Sequence, residues 1–223
     1  SSPKFGHHPF LTDEKGKSFG KRLDSLSIKK LRDKGFENIT LLNYLLSIGT
    51  SLNLTKEIKS ESLIKNFDIS NLSNSSPKFS IEVIKSLNKD ILQTFNYSDV
   101  ENKFLELNIK DANADFWQFI KNNIEFFQEC IEWKEILNTS KPYKNDNLDF
   151  LKEAAKLLPN SPYNVDSWDQ WTSLIKQKTG KKGKELFMPL RKALTGKEKG
   201  PELKYLLPLL SKEHILKKLG IDR

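Results

Sequence analysis

Apolar residues recur at helical spacings along nearly the whole of this chain, and convincing alternation of apolar with polar residues is almost absent. A side-chain period near 3.6 buries one face of a helix, whereas a strand needs a period of two. The pattern therefore restricts the chain to a mainly α architecture, with at most one short strand near the N-terminus, at residues 5–12. The clearest case is the stretch that Ser80 caps, where Ile81, Ile84, Leu87, Ile91, Leu92 and Phe95 share a helix face. Residues 112–137 carry Phe116, Trp117, Ile120, Ile124, Phe127, Ile131 and Trp133, an aromatic stripe on a long helix or a helical pair. Such a stripe reads as core, not as a ligand platform.

Cap and stop signals divide the rest. Ser27 caps a helix over 28–34 that Gly35 stops, and Thr40 caps a very apolar one over 41–48 that Gly49 closes. Ser60 starts a helix through Phe67, and Ser98 with Glu101 forms a capping box ahead of 100–107. Further helices are expected over 148–158, over 168–178 with Asp166 as cap, over 202–210, and over 212–219 between Ser211 and Gly220. The serine- and asparagine-rich residues 68–79 and the polar residues 139–147 are joints. Residues 12–22, with two glycines and no periodicity, read as a mobile charged loop. The count is about ten helices with no repeat of fixed period.

Charge is concentrated in one place. Residues 176–200 hold nine basic residues against Glu185 and Glu198, a local +7 in a chain whose formal charge is +8. Within them Leu186, Phe187, Leu190 and Leu194 mark a buried helix face, with Arg191 beside it. A basic field of this kind suits a polyanion, nucleic acid being the commonest; a solvated, lysine-rich helix face is the other reading of the same residues.

Several chemistries are excluded. One cysteine, Cys130, rules out an internal disulfide and fits a reducing compartment such as the cytoplasm. One cysteine and three histidines cannot close a zinc site, and adjacent His7 and His8 would point to opposite faces of a strand, so no metal is expected. No P-loop, dinucleotide fingerprint, Gly-x-Ser-x-Gly elbow or His-Glu-x-x-His pair occurs. No apolar run approaches the roughly 20 residues of a membrane span. A self-contained active site is not expected from these residues, and the missing initiator methionine suggests a piece of a longer protein or a processed product.

Four segments in order carry a family resemblance. Residues 16–28, GKSFGKRLDSLSI, resemble the KMSKS-type loop of bacterial glutamyl-tRNA synthetases. LLNYLLSIGT at 41–50 looks like the helix after that loop, and FDISNLSNSSPKF at 67–79 is similar to a family segment. Residues 186–219, with PLRKALTG and LLPLL, resemble the family's anticodon-binding region. The wording is nearest the second type found in many α-proteobacteria.

The resemblance implies a class I ligase that joins glutamate to tRNA, with ATP as substrate, Mg2+ accompanying the nucleotide, and tRNA for glutamate or glutamine as partner. It implies three regions: 1–79, the end of the catalytic domain with stem-contact helices; 80–140, a first helical anticodon-binding part; and 141–223, a second. The nucleotide-binding fold would lie elsewhere, so these residues alone should not aminoacylate, and a monomer is favoured. Lys21 matches the second lysine of the loop motif, which faces the ATP phosphates. Ser18 stands at the first lysine and Gly20 at the motif serine, leaving Lys17, one place early, as the candidate for the first contact. Arg191 matches the anticodon arginine, with Gly200, Pro201 and Leu203 at the adjoining turn. Lys121 stands where relatives carry a basic residue near the third anticodon base. The rival readings are a stand-alone basic helical RNA-binding module and a helical interaction scaffold.

Overall fold

In a computed structural model, residues 2–3, 5–19, 27–142 and 147–221 are described. They form twelve α-helices: α1 (Ile28–Asp33), α2 (Asn38–Ser47), α3 (Ser60–Asn66), α4 (Ile81–Thr94), α5 (Tyr97–Glu106), α6 (Ala114–Ile120), α7 (Cys130–Asn138), α8 (Leu148–Lys156), α9 (Val165–Thr179), α10 (Gly183–Thr195), α11 (Leu203–Leu206) and α12 (Lys212–Lys218). Among the described residues there is no strand, only isolated bridges. The chain is thus mainly α, and it divides into two compact units: Ser1–Phe95 with Ile124–Gln128, and Asn96–Asn123 with Glu129–Arg223.

The first unit is built on α2 and α4, with α3 packed on α2. Its centre is Asn88, which is fully buried on α4. The Asn88 carbonyl accepts from the Glu37 amide at 2.8 Å and the Thr40 hydroxyl at 2.9 Å, while its amide donates to the Glu125 carbonyl at 2.7 Å. This network moves the start of α2. Thr40 cannot cap a helix while its hydroxyl is committed to Asn88, so α2 begins with Glu37 at the N-cap and Thr40 inside. Asn43 is likewise saturated: it donates to the Ile39 and Glu57 carbonyls and accepts from Thr55 and the Glu57 amide.

Residues 5–12 do not form the expected strand. Phe5 and Phe10 are mostly exposed, and backbone pairing is confined to the end of the segment: Thr12 donates to the Pro77 carbonyl at 2.9 Å and accepts from the Phe79 amide at 2.8 Å, and the Leu11 carbonyl accepts from the Phe19 amide at 3.5 Å. A strand needs a neighbour along its length, and the described chain supplies one only at Leu11 and Thr12. The start of the expected mobile loop is instead a tight turn. The Asp13 carboxylate accepts from the amides of Lys15 (3.0 Å) and Lys17 (2.8 Å), and Gly16 takes φ +80°.

Of the aromatic stripe, Phe116, Trp117, Ile120 and Trp133 are core in the second unit and Ile124 and Phe127 are buried in the first, whereas Ile131 is 41% exposed. Phe104, Phe116, Trp117, Phe119 and Ile120 are all buried, and Phe104 meets Phe116 and Trp117 with ring centroids 5.7 and 6.0 Å apart. The stripe is carried by α6 and α7, with a 3₁₀ turn at Phe127–Glu129 ahead of α7. Two caps differ from expectation. Asn96 with Asp99 opens α5 two residues ahead of Ser98, and Asn164 with Ser167 opens α9 ahead of Asp166. In both, an asparagine upstream offers the same cap geometry and gains extra helical turn. The Trp171 indole donates to the Ala154 carbonyl at 2.8 Å, tying α9 to α8.

Candidate nucleic-acid interface

Helix α10 carries the basic field's apolar anchor. Leu186, Leu190, Ala193 and Leu194 are 2% exposed or less, which is the face the spacing required. Phe187 is the exception at 44% exposed, although it lies only about 20° around the helix from the fully buried Leu194, seven residues on. Pro189 sits inside α10, where it cannot donate to the Glu185 carbonyl, yet the helix runs on to a left-handed stop at Gly196.

Arg191 emerges from α10 beside the next turn. Its Nη1 donates to the Pro201 carbonyl at 2.9 Å, which locks the guanidinium to the backbone of the turn that follows. Burial draws the Arg191 pKa down from the usual guanidinium value, and the charge-assisted bond to Pro201 compensates part of that desolvation. At the turn, Gly200 adopts φ +145°, and a Cβ there would stand 2.5 Å from Cη2 of Trp133. Pro201 and Leu203 are buried in the turn and the start of α11.

An open hollow of about 290 Å³ adjoins this turn, lined by Trp168 and Asp169 of α9, Phe187 and Arg191 of α10, and Glu202, Leu203 and Lys204. Trp168 and Phe187 rings face one another at 6.2 Å with a tilt of 31°. The structure therefore brings Arg191 and Leu203 to one hollow and sets Gly200 and Pro201 in its adjoining turn. Lys121 is the C-cap of α6 and does not line that hollow. Trp168 and Phe187 are absent from the site expected from sequence; Phe187 falls in helical register with Leu190 and Leu194, so spacing alone marks it as core and gives no signal of its exposure.

The surrounding charge divides into two kinds. Lys192 pairs with Glu198 at 2.7 Å and Lys197 with Glu132 at 2.6 Å, the latter also lying over the Trp133 ring at 5.6 Å. Lys176, Lys178, Lys182, Lys184 and Lys199 stand exposed. Exposed lysines of one sign raise the local concentration of a polyanion without selecting its sequence, whereas a planar, anchored guanidinium can.

In the first unit, Lys17 is exposed on the Asp13 turn, and Ser18 bridges Thr12. Lys21 and Gly20 lie outside the described residues. Among the described residues no group of three or more histidine, cysteine or acidic side chains is placed to hold a metal ion, and no helix is long and apolar enough to cross a membrane.

Comparison with known proteins gives one family and one fold. Residues 111–221 match the model of the "Anticodon binding domain" family. The chain is 37% identical over 222 residues to a protein named glutamate–tRNA ligase 2 in Bartonella tribocorum, covering 98% of this chain and 49% of that protein. It is 36% identical over 224 residues to glutamate–tRNA ligase 1 of Bartonella quintana, with 99% and 49% covered. The chain thus spans about half the length of the curated relatives it matches. Among solved structures, the glutamate–tRNA synthetase of Elizabethkingia anophelis superposes with a TM-score of 0.76 at 16% identity, over 99% of this chain and 51% of that one.

Proposed function

We propose, from the premise that this chain belongs to the glutamate–tRNA ligase family through the anticodon binding domain at residues 111–221, that it is the tRNA-holding part of an enzyme joining glutamate to tRNA. The observation that carries this reading is Arg191, held by the Pro201 carbonyl at 2.9 Å beside a hollow and within the field of exposed lysines. The lysines supply sequence-independent affinity for the RNA backbone, and the anchored arginine, with the Gly200–Leu203 turn, faces unpaired bases. Lys121 is a second cation for the anticodon. A lysine offers one point charge where an arginine offers a fork, so its part is affinity more than choice.

Regions 1–79, 80–140 and 141–223 then serve in turn the catalytic end and stem contacts, the first anticodon part and the second. ATP with Mg2+ would meet this chain at Lys21 and Lys17, whose cations offset charge developing on the phosphates during adenylate formation. The isolated 223 residues bind tRNA without aminoacylating it, work in the cytoplasm, and do so as a monomer. Their tRNA partner is that of glutamate, with the glutamine isoacceptor as the alternative.

A gel-shift titration of the 223-residue protein with unfractionated tRNA, at low and at physiological salt, tests the reading. Binding that weakens steeply with salt, and about tenfold or more with Arg191→Ala, is expected. No binding at low salt sinks the proposal.

A further inference from the structure

We infer that the hollow between α9 and α10 is a stacking seat for one unpaired RNA base, with Phe187 as its platform. This rests on the tRNA-binding reading above and adds to it a recognition residue and a mode of recognition.

A single exposed phenylalanine on a protein surface signifies nothing. Three observations distinguish this one. First, Phe187 is backed by Trp168, whose ring lies 6.2 Å away at 31° and which is itself only 8% exposed, so the platform is rigid. Trp168 is held in turn edge-on by Trp171, with centroids 5.7 Å apart. Second, the space in front is bounded. At about 290 Å³ it falls just below the roughly 300–1,000 Å³ of sites for drug-sized ligands, a size suited to one ring system and not to a length of strand.

Third, the rim is electrically balanced although it lies inside a basic field. Arg191 and Lys204 bring two cations, Asp169 and Glu202 two carboxylates, and Lys204 bonds Glu202 at 2.8 Å. A phosphate seat would carry an excess of positive charge, so this hollow is not one. A flat, neutral group with hydrogen-bonding edges meets every condition: its face lies on Phe187 and its edge meets the guanidinium, carboxylates and ammonium of the rim. The exposed lysines of residues 176–200 attract the RNA backbone, and the base fills the neutral interior.

Stacking and charge contributions separate by salt dependence, because removing a stacking contact changes affinity without changing the number of counterions released. The test is filter binding of an RNA hairpin with an unpaired loop, and of a fully paired RNA duplex, to the 223-residue protein across a salt series. Phe187→Leu keeps an apolar side chain but removes the aromatic face; Phe187→Tyr keeps the face. The leucine variant should lose about tenfold in hairpin affinity at unchanged salt slope, with duplex binding unaltered, and the tyrosine variant should stay close to the parent. Equal hairpin affinity for the leucine variant overturns the stacking seat while leaving the tRNA reading intact. So does a loss that appears equally on the duplex or that lowers the salt slope. Failure of the parent protein to bind the hairpin at low salt overturns both.

Discussion

The benzo edge of Trp133 occupies the space in which a side chain at position 200 would begin: a Cβ built on Gly200 would lie 2.5 Å from Cη2 and 3.0 Å from Cζ2. The two residues come from α7 and from the turn before α11, and together they fix how the turn meets the rest of the second unit. Trp133 is 4% exposed and is gripped edge-on by Phe119 at 5.7 Å, so it cannot easily give way.

A side chain at 200 should therefore be costly twice over. Gly200→Ser meets the indole and also forces φ +145° on a residue that disfavours it, a combined destabilisation of about 2–4 kcal/mol. Trp133→Phe shortens the ring and should relieve the clash but not the backbone strain. In urea unfolding, the double variant should be more stable than the sum of the two single losses implies, a coupling that marks direct contact. Additive losses would show that the turn adjusts independently of Trp133. The same crowding confines position 200 to glycine, which presents backbone groups alone.

The core of the first unit should be sensitive at Asn88. Replacing it with leucine keeps approximate volume but leaves the Glu37 amide, the Thr40 hydroxyl and the Glu125 carbonyl each without that partner in a buried site. Each such group costs about 1–3 kcal/mol, so a loss of several kcal/mol is expected in equilibrium denaturation. Thr40→Val should lose much less, because Asn88 then retains its two backbone bonds. Equal losses for the two variants would show that the network is not centred on Asn88.

These two sites show what sequence could and could not reveal. Leu186, Leu190 and Leu194 were legible as a buried face because periodicity is local. Helix starts were legible at Ser27, Ser80 and Ser211, each of which caps its helix, but not at α2, α5 and α9, where several residues able to cap stand close together. Which one wins depends on side-chain partners that spacing does not identify: Asn88 claims the hydroxyl of Thr40, and Asp99 reaches the amide of Asn96. The meeting of Trp133 with Gly200, and of Trp168 with Phe187, is created by packing between helices and leaves no trace in spacing. The charge of residues 176–200 was plain. Its division into the ion-paired Lys192 and Lys197 and the exposed remainder depends on which carboxylates the fold brings within reach.

That division predicts unequal effects on RNA binding. Lys182→Gln and Lys184→Gln should each reduce the slope of log affinity against log salt by about one for a lysine that contacts phosphate. Lys192 and Lys197 are already held by Glu198 and Glu132, so Lys192→Gln and Lys197→Gln, which remove a cation engaged with a carboxylate and not with phosphate, should change that slope less. Salt-series titrations of the four variants check this. Identical slopes and affinities for all four would show that the lysines act only as a diffuse field.

The last prediction concerns Lys218, which is 1% exposed and donates from Nζ to the Ile136 carbonyl at 2.7 Å, near the C-terminal end of α7. Burial pushes its pKa down to about 8, from an ordinary value near 10.4 in the unfolded chain. Between those values the unfolded chain holds more protons than the folded one, so folding stability rises with pH across this window. The contribution is fully present above the unfolded pKa and lost as pH falls through the folded one, with a ceiling of about 3 kcal/mol. Burial raises the pKa of the Cys130 thiol strongly and those of Tyr44 and Tyr163 as well, which opposes stability once the thiol ionises in the unfolded chain above about pH 8.5, so the useful window is about pH 7.5 to 8.5. Urea midpoints should increase across it, and Lys218→Met should flatten that increase. A parent protein with no such increase, or a methionine variant that keeps it, would show that the ammonium of Lys218 is not desolvated where it meets α7.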